Sequence, residues 1–289
     1  MNNIFWRDKD RKIIRHLHDD PITIRSHNFV KCKDGSEKSF TCRQSLVKIT
    51  DQGVETDPLP CPLCLVEVED EKGRHFLKPA TVAWGLAIER QPSTDREGRR
   101  IIVDMMEEVD VPIEGKEETK KVNLPKIGVV SQSLGNFWSA FGNFYLRFNT
   151  TVDRDYEVVR EGGGRGKGAP NYTMIHEDPV DGMRTVKEVQ EKYKDSLQGK
   201  TPREILRDRI NFFGSYHYMA KFLDEDILKK VEWPDVKEDV AETKPESLSD
   251  HPGGLDEFAS RKPVEPEEEG QSFESLKQRL VSMANKPKE

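Results

Sequence analysis

Along the first third of the chain, apolar and polar residues alternate in short runs. Lys12–Leu17 (KIIRHL) reads as a strand, closed by a turn at Asp19-Asp20-Pro21. Ile22–Cys32 and Lys38–Arg43 flank Asp34-Gly35, the pattern of two strands joined by a tight turn. Pro58, Pro60 and Pro62 mark irregular backbone around two cysteines. Phe76–Arg90 (FLKPATVAWGLAIER) is strand-like, rich in small and β-branched residues, and Pro79 predicts a bend or an edge. Residues 91–125 are charged and turn-rich around one strand, Arg100–Met105, and read as a long insertion.

The period then changes. Over Val130–Phe148, the residues Phe137, Phe141, Phe144, Tyr145 and Phe148 fall on one face of a helix, a stripe that reads as core packing. Tyr156–Arg160 and Asn171–Ile175 read as short strands joined by Glu161–Pro170 (EGGGRGKGAP). Two helices follow, opening at Thr185 with Glu188 and at Thr201-Pro202 with Glu204, each a capping box. Beyond Trp233-Pro234 the chain is poor in apolar residues and rich in Glu, Pro and Ser, which predicts disorder to about Gln271. Ser272–Asn285 places Phe273, Leu276, Leu280 and Met283 on one helical stripe, too short to stand alone. The expected organisation is an arm over 1–11, a core over 12–223 with accessory helices at 185–223, and a tail over 224–289.

Composition sharpens this division. Hydrophobic residues make up 34% of the 289, equal to the charged share, so part of the chain is expected to be solvated. The net charge of −7 is uneven: residues 224–289 hold 18 acidic against 10 basic groups, and the remainder is nearly neutral. No apolar run reaches the ~18 residues of a membrane span. The opening MNNIFWRDKDRKII has no apolar signal core, which implies a cytoplasmic protein. Four cysteines in a reducing compartment read first as metal ligands.

Cys61-Pro62-Leu63-Cys64 has the spacing of a metal knuckle, with two sulfurs on one ion. The other ligands must come from His27, Cys32 and Cys42, with His16, His18 and His75 weaker candidates. In a regular hairpin turning at Asp34-Gly35, His27 sits directly opposite Cys42, with Cβ atoms ~4.5–5.5 Å apart. Cys32 then lies ~16 Å along the strand from His27, on the other face. The favoured set is His27, Cys42, Cys61 and Cys64. An all-cysteine site using Cys32 is the rival, and a bulge or a longer loop would weaken the choice. Four protein ligands leave no open position for water, so one structural zinc is expected rather than a catalytic one.

These residues resemble a known family. The order KIIRHL, then HNF before a DG turn, then a cysteine, then CPLC, then a strand containing Trp84, is similar to the helix-destabilising protein of T-even phages. The resemblance spans roughly Lys12–Ile175 and is most specific at His27, Phe29, Cys42, Cys61 and Cys64. It implies a non-enzymatic protein that binds single-stranded DNA in phage replication and recombination. It further implies a β-rich α+β fold: an OB-fold barrel beside a zinc subdomain (about 22–75) that uses one His and three Cys. The acidic tail would engage replication partners, and the arm would mediate self-association along DNA. Two features depart from the family: a longer Cys42–Cys61 interval, and a short arm of mixed charge.

Sequence-neutral binding of single strands needs cations along the phosphates and aromatic faces for the bases. The candidate cations are Lys12, Arg15, Lys78, Arg90, Arg160, Arg165 and Lys167, and the candidate platforms are Phe76, Trp84, Tyr156 and Tyr172. Trp84 also reads as core, since its strand is apolar. The cationic loop GGGRGKG can lie close to a sugar-phosphate backbone, but it lacks the ending of a Walker loop. Two other functions compete: a zinc-containing nuclease using Asp153 and Asp155, and a zinc-ribbon replication or transcription adaptor that binds proteins.

Overall fold

A computed structural model of the chain describes residues 2–51, 53–70, 73–112, 119–162, 170–177 and 182–234. The expected tail beyond 234, its terminal helix, and the loop cations Arg165 and Lys167 lie outside the described residues. The strands are β1 (Asn2–Ile4), β2 (Arg11–His16), β3 (Ile22–Lys31), β4 (Glu37–Thr41), β5 (Val47–Thr50), β6 (Gly53–Thr56), β7 (Glu67–Asp70) and β8 (Gly73–Phe76). They continue with β9 (Ala80–Thr94), β10 (Arg100–Asp104), β11 (Met106–Pro112), β12 (Thr119–Pro125) and β13 (Ile127–Ser133), then β14 (Asp155–Glu161) and β15 (Asn171–Glu177). The helices are α1 (Ser139–Phe148), α2 (Val186–Lys192), α3 (Pro202–Phe213), α4 (Tyr216–Phe222) and α5 (Glu225–Leu228). Among the described residues no helix is long and apolar enough to cross a membrane.

β9 is the spine. Its 15 residues pair with β3 (Ile22↔Trp84) and β2 (Ile13↔Arg90), and with β13 (Ile127↔Ile88) and β10 (Asp104↔Arg90). The large sheet runs β1-β13-β9-β2-β14-β15, with β1 parallel to β13 and β4 beyond β3. Residues 82–90 of β9 are buried on both faces, and the period of two divides them. Val82, Trp84, Leu86 and Ile88 enter one core under Leu206, Ile210 and Phe213 of α3. Ala83 and Ala87 enter a second core with Ile14, Val130, Phe137, Trp138, Phe141, Tyr156 and Val158. Gly85 lies between those alanines because the Trp138 ring fills the space: a Cβ there would sit 2.5 Å from the ring's Cη2. Trp138 Nε1 donates to Ala83 O (2.9 Å), which fixes that ring over the small residues.

The expected barrel is not closed: among the described residues no strand pairing joins β15 to β13 or β1. Side chains bridge that interval instead. Tyr172 Oη donates to Gln132 Oε1 (2.8 Å), and its ring meets Phe137 edge-on at 5.1 Å and Trp6 at 6.4 Å.

Three expectations are corrected. The first residues are not a loose arm: β1 pairs with β13, Ile4 and Trp6 are 1% exposed, and Lys9 N donates to Arg160 O (2.9 Å). Three consecutive apolar residues, Ile4-Phe5-Trp6, show no period to read. Residues 130–133, expected to open a helix, complete strand β13, and a π-helical turn, Leu134–Trp138, makes the change to α1. The insertion holds a second pair of strands, the ribbon β11–β12, in which Val109 faces Val122. Both capping boxes are present, at Thr185 with Glu188 and Thr201 with Glu204.

His16 is buried against Trp138, Phe141 and Tyr156, and burial holds its pKa down to about 3. His18, whose Nε2 accepts from Leu86 N (2.9 Å), is held by burial at about 4. Unfolded, both titrate near 6.5. Below that pH the unfolded chain therefore binds more protons, and each neutral imidazole costs stability as pH falls toward 4. Unfolding titrations between about pH 6.5 and 4.5 should lose on the order of 1 kcal/mol per pH unit for each histidine. His16→Phe should flatten that slope, and an unchanged slope would contradict the assignment. Gly85→Ala should cost about 1–3 kcal/mol in urea unfolding through overpacking against Trp138.

Candidate metal centre and nucleic-acid interface

The ligand set assembles on the β3–β4 hairpin, although not in the expected register. The turn is longer than two residues: Cys32 N donates to Ser36 O (2.8 Å), Gly35 N donates to Cys32 O (2.9 Å), and Asp34 Oδ1 accepts from Ser36 N (2.9 Å). A bulge between His27 and Val30 then shifts the pairing again, with Phe29 in the left-handed region at φ 56°. His27 faces Phe40 rather than Cys42, and Cys42 N donates to Arg25 O (2.9 Å). Cys42 is thus the diagonal neighbour of His27, on the same face and within reach of an imidazole. Cys32 points away: its Sγ lies 3.5 Å from Val30 O, it packs into the larger core, and burial pushes its thiol up.

The knuckle meets this hairpin through a 3-10 turn, Leu63–Leu65, anchored by the fully buried Leu63. Arg43, next to Cys42, holds the approach. Its Nε donates to Pro60 O (3.0 Å), its Nη1 to Gly214 O (3.1 Å), and its guanidinium lies 4.1 Å from the Trp233 ring centre. The ligand atoms of His27, Cys42, Cys61 and Cys64 all fall within 4.8 Å of one another. His27 Nε2 is 3.5 Å from Cys61 Sγ and 3.4 Å from Cys64 Sγ, and Cys42 Sγ is 3.5 Å from Cys64 Sγ. The first three residues are buried and Cys64 is half-buried. Hydrogen bonding from Cys42 and from His27 pulls the Cys61 thiol down to about 3. The cluster can hold one metal ion.

The candidate nucleic-acid contacts divide sharply. Phe76 is 53% exposed and Lys78 is exposed, whereas Tyr172 is half-buried. Lys12 is half-buried, with Nζ 3.5 Å from Glu89 Oε2. Three expected surface cations are internal. Arg15 Nε pairs with Asp155 Oδ1 (2.9 Å), Arg90 Nη1 pairs with Asp104 Oδ1 (2.5 Å), and Arg160 Nη1 donates to Trp6 O. Trp84 lies edge-on to Phe213 (6.0 Å), and Tyr156 packs on Phe141 (4.8 Å) with no exposure. Neither offers a ring face to a base. Tyr156 and Tyr172 are not cross-strand partners, since they face His176 and Arg160. The period of two places these side chains on inward faces, and sequence shows the alternation without showing which face is covered.

A cleft of about 640 Å³ opens where β2, β9, β10 and β14 meet, lined by Arg11, Lys12, Arg90, Arg100, Glu89 and Glu157 among others. Arg11 and Arg100 were not singled out from sequence, although Arg11 shares a strand face with Ile13 and Arg15. Phe5 is half-buried, with Lys12 Nζ 5.6 Å and Arg7 Cζ 6.0 Å from its ring centre. Asp153 and Asp155, candidates for a nuclease, are engaged by Arg154 (2.6 Å) and Arg15.

Metal analysis of purified protein should find one equivalent per chain in wild type and in Cys32→Ser, and none in Cys61→Ser or His27→Ala. Loss in Cys32→Ser with retention in His27→Ala would show the all-thiolate set. No family model, curated protein or solved structure matches this chain.

Proposed function

We propose that this protein binds single-stranded DNA, coating and protecting strands exposed in phage replication or recombination, and that it is not an enzyme. The observation that carries the reading is the cleft at the meeting of β2, β9 and β10, where Arg11, Lys12 and Arg100 come together from separate strands. Cations placed so can track phosphates, and Phe5, beside Lys12 and Arg7, supplies a partly exposed ring next to them. Each stacked base contributes ~1–3 kcal/mol. The curled sheet, bridged by Tyr172 and Gln132 rather than by backbone pairing, supports a partly open barrel of the OB type. The acidic segment beyond residue 234 would engage replication or recombination partners.

The metal in this reading is zinc. A tetrahedron with Zn–S near 2.3 Å and Zn–N near 2.05 Å has S···N edges of about 3.5 Å and S···S edges of about 3.8 Å. The His27–Cys61 separation of 3.5 Å and the Cys42–Cys64 separation of 3.5 Å fit such a frame. Cys42, Cys61, Cys64 and His27 would fill it, and an ion so held would cross-link the hairpin to the knuckle. Both Asp153 and Asp155 are tied up by guanidinium groups, which weighs against the nuclease alternative.

Trp6, Trp84 and Trp138 are buried, so intrinsic fluorescence is a poor probe of binding. Anisotropy of a labelled oligo(dT) should report binding that weakens with salt, with a log–log slope of about −0.7 per phosphate contacted. Duplex of equal length should bind far more weakly. Equal affinity for the two, or none for the single strand, would overturn the reading.

A further inference from the structure

The cleft's cations are partly neutralised by its own carboxylates, in a specific way. Glu157 on β14 holds Arg11 of β2 at 2.9 Å through Oε1 and faces Arg100 of β10 at 3.7 Å through Oε2. Its side chain is 10% exposed, whereas those of Arg11 and Arg100 are 68% and 58% exposed. One inward carboxylate thus spans two outward guanidinium groups from different strands, one oxygen to each. The two non-bridging oxygens of a phosphodiester would meet the same pair in the same manner. Glu89 repeats the arrangement, with Lys12 at 3.5 Å and Lys126 at 2.7 Å.

We propose that Glu157 is a built-in surrogate for a phosphate. It pre-orients Arg11 and Arg100 for the nucleic-acid backbone, and it sets affinity by competing with that backbone. This rests on the single-stranded DNA reading above and names a residue that governs its strength. Ion pairs whose cations are this exposed are worth little, about 0–1 kcal/mol each, so a polyanion can displace them. A phosphate entering the clasp must do so against the resident negative charge of Glu157. Binding is therefore an exchange of one anion for another, and it releases fewer counterions than a bare arginine pair would.

The test is Glu157→Gln, which keeps the shape and an acceptor for Arg11 while removing the charge. At about 50 mM salt the variant should bind oligo(dT) ~3- to 10-fold more tightly than wild type, with a salt slope steeper by about 0.7. Arg11→Gln in that background should abolish the gain. Glu177→Gln, which frees Arg100 from its 3.0 Å partner at a more exposed position, should tighten binding in the same direction even if Glu157→Gln lowers the melting temperature. Wild type that binds in a salt-dependent manner, with neither glutamine variant tightening or changing the slope, overturns this inference alone. Wild type that fails to bind single strands overturns the function itself.

Discussion

β9 can carry β3 and β2 on one edge and β13 and β10 on the other because the two faces of its buried stretch meet different demands. On one face, large apolar side chains alternate and take the helical layer. On the other, Ala83, Gly85 and Ala87 leave a trough that the Trp138 ring fills, tied by its indole N–H to Ala83 O. A larger residue at Gly85 would lift Trp138 and, with it, the aromatic stack of Phe137, Phe141 and Tyr156 that holds the curled sheet. The positions of β2, β3, β10 and β13 follow from this one strand, and so does the cleft where β2 and β10 meet it.

The metal centre solves a different problem. Between β4 and β9 the chain forms two short two-stranded pieces, β5–β6 and β7–β8, and such hairpins are marginal alone. An ion held by His27, Cys42, Cys61 and Cys64 would supply what a small core cannot. Arg43 passes that order on: it joins the ligand-bearing strand end to the knuckle approach, to the end of α3 and to Trp233. Its Nε and Nη1 both donate to backbone carbonyls, so its role there is architectural.

Electrostatics are handled by pairing charges inside and leaving exchangeable pairs outside. Arg15, Arg90, Asp155, Asp104 and Tyr193 form a buried network under the cleft. A network of that kind is weak evidence for stability, because desolvation offsets the attraction, but breaking one partner would leave a costly unpaired charge. Above it, the arginines that reach solvent are held only by carboxylates at the cleft wall. The inner layer fixes where the strands lie, and the outer layer is free to trade partners.

Much of the local structure was legible in the chain: the KIIRHL strand, the hairpin around Asp34-Gly35, both capping boxes and the CPxC knuckle each carry short-range chemistry. The convergence of His27, Cys42, Cys61 and Cys64 was legible too, although by a register that the structure does not use. A bulge and a longer turn moved the pairing by whole residues while leaving His27 and Cys42 on one face, since alternation tolerates a diagonal as well as a direct neighbour. What sequence did not decide is burial. Arg15, Arg90 and Arg160 look like Arg11 and Arg100 in one dimension, and Trp84 and Tyr156 look like Phe5 and Phe76. Which of them faces water depends on carboxylates and rings contributed by strands dozens of residues away, and only the folded sheet brings those together.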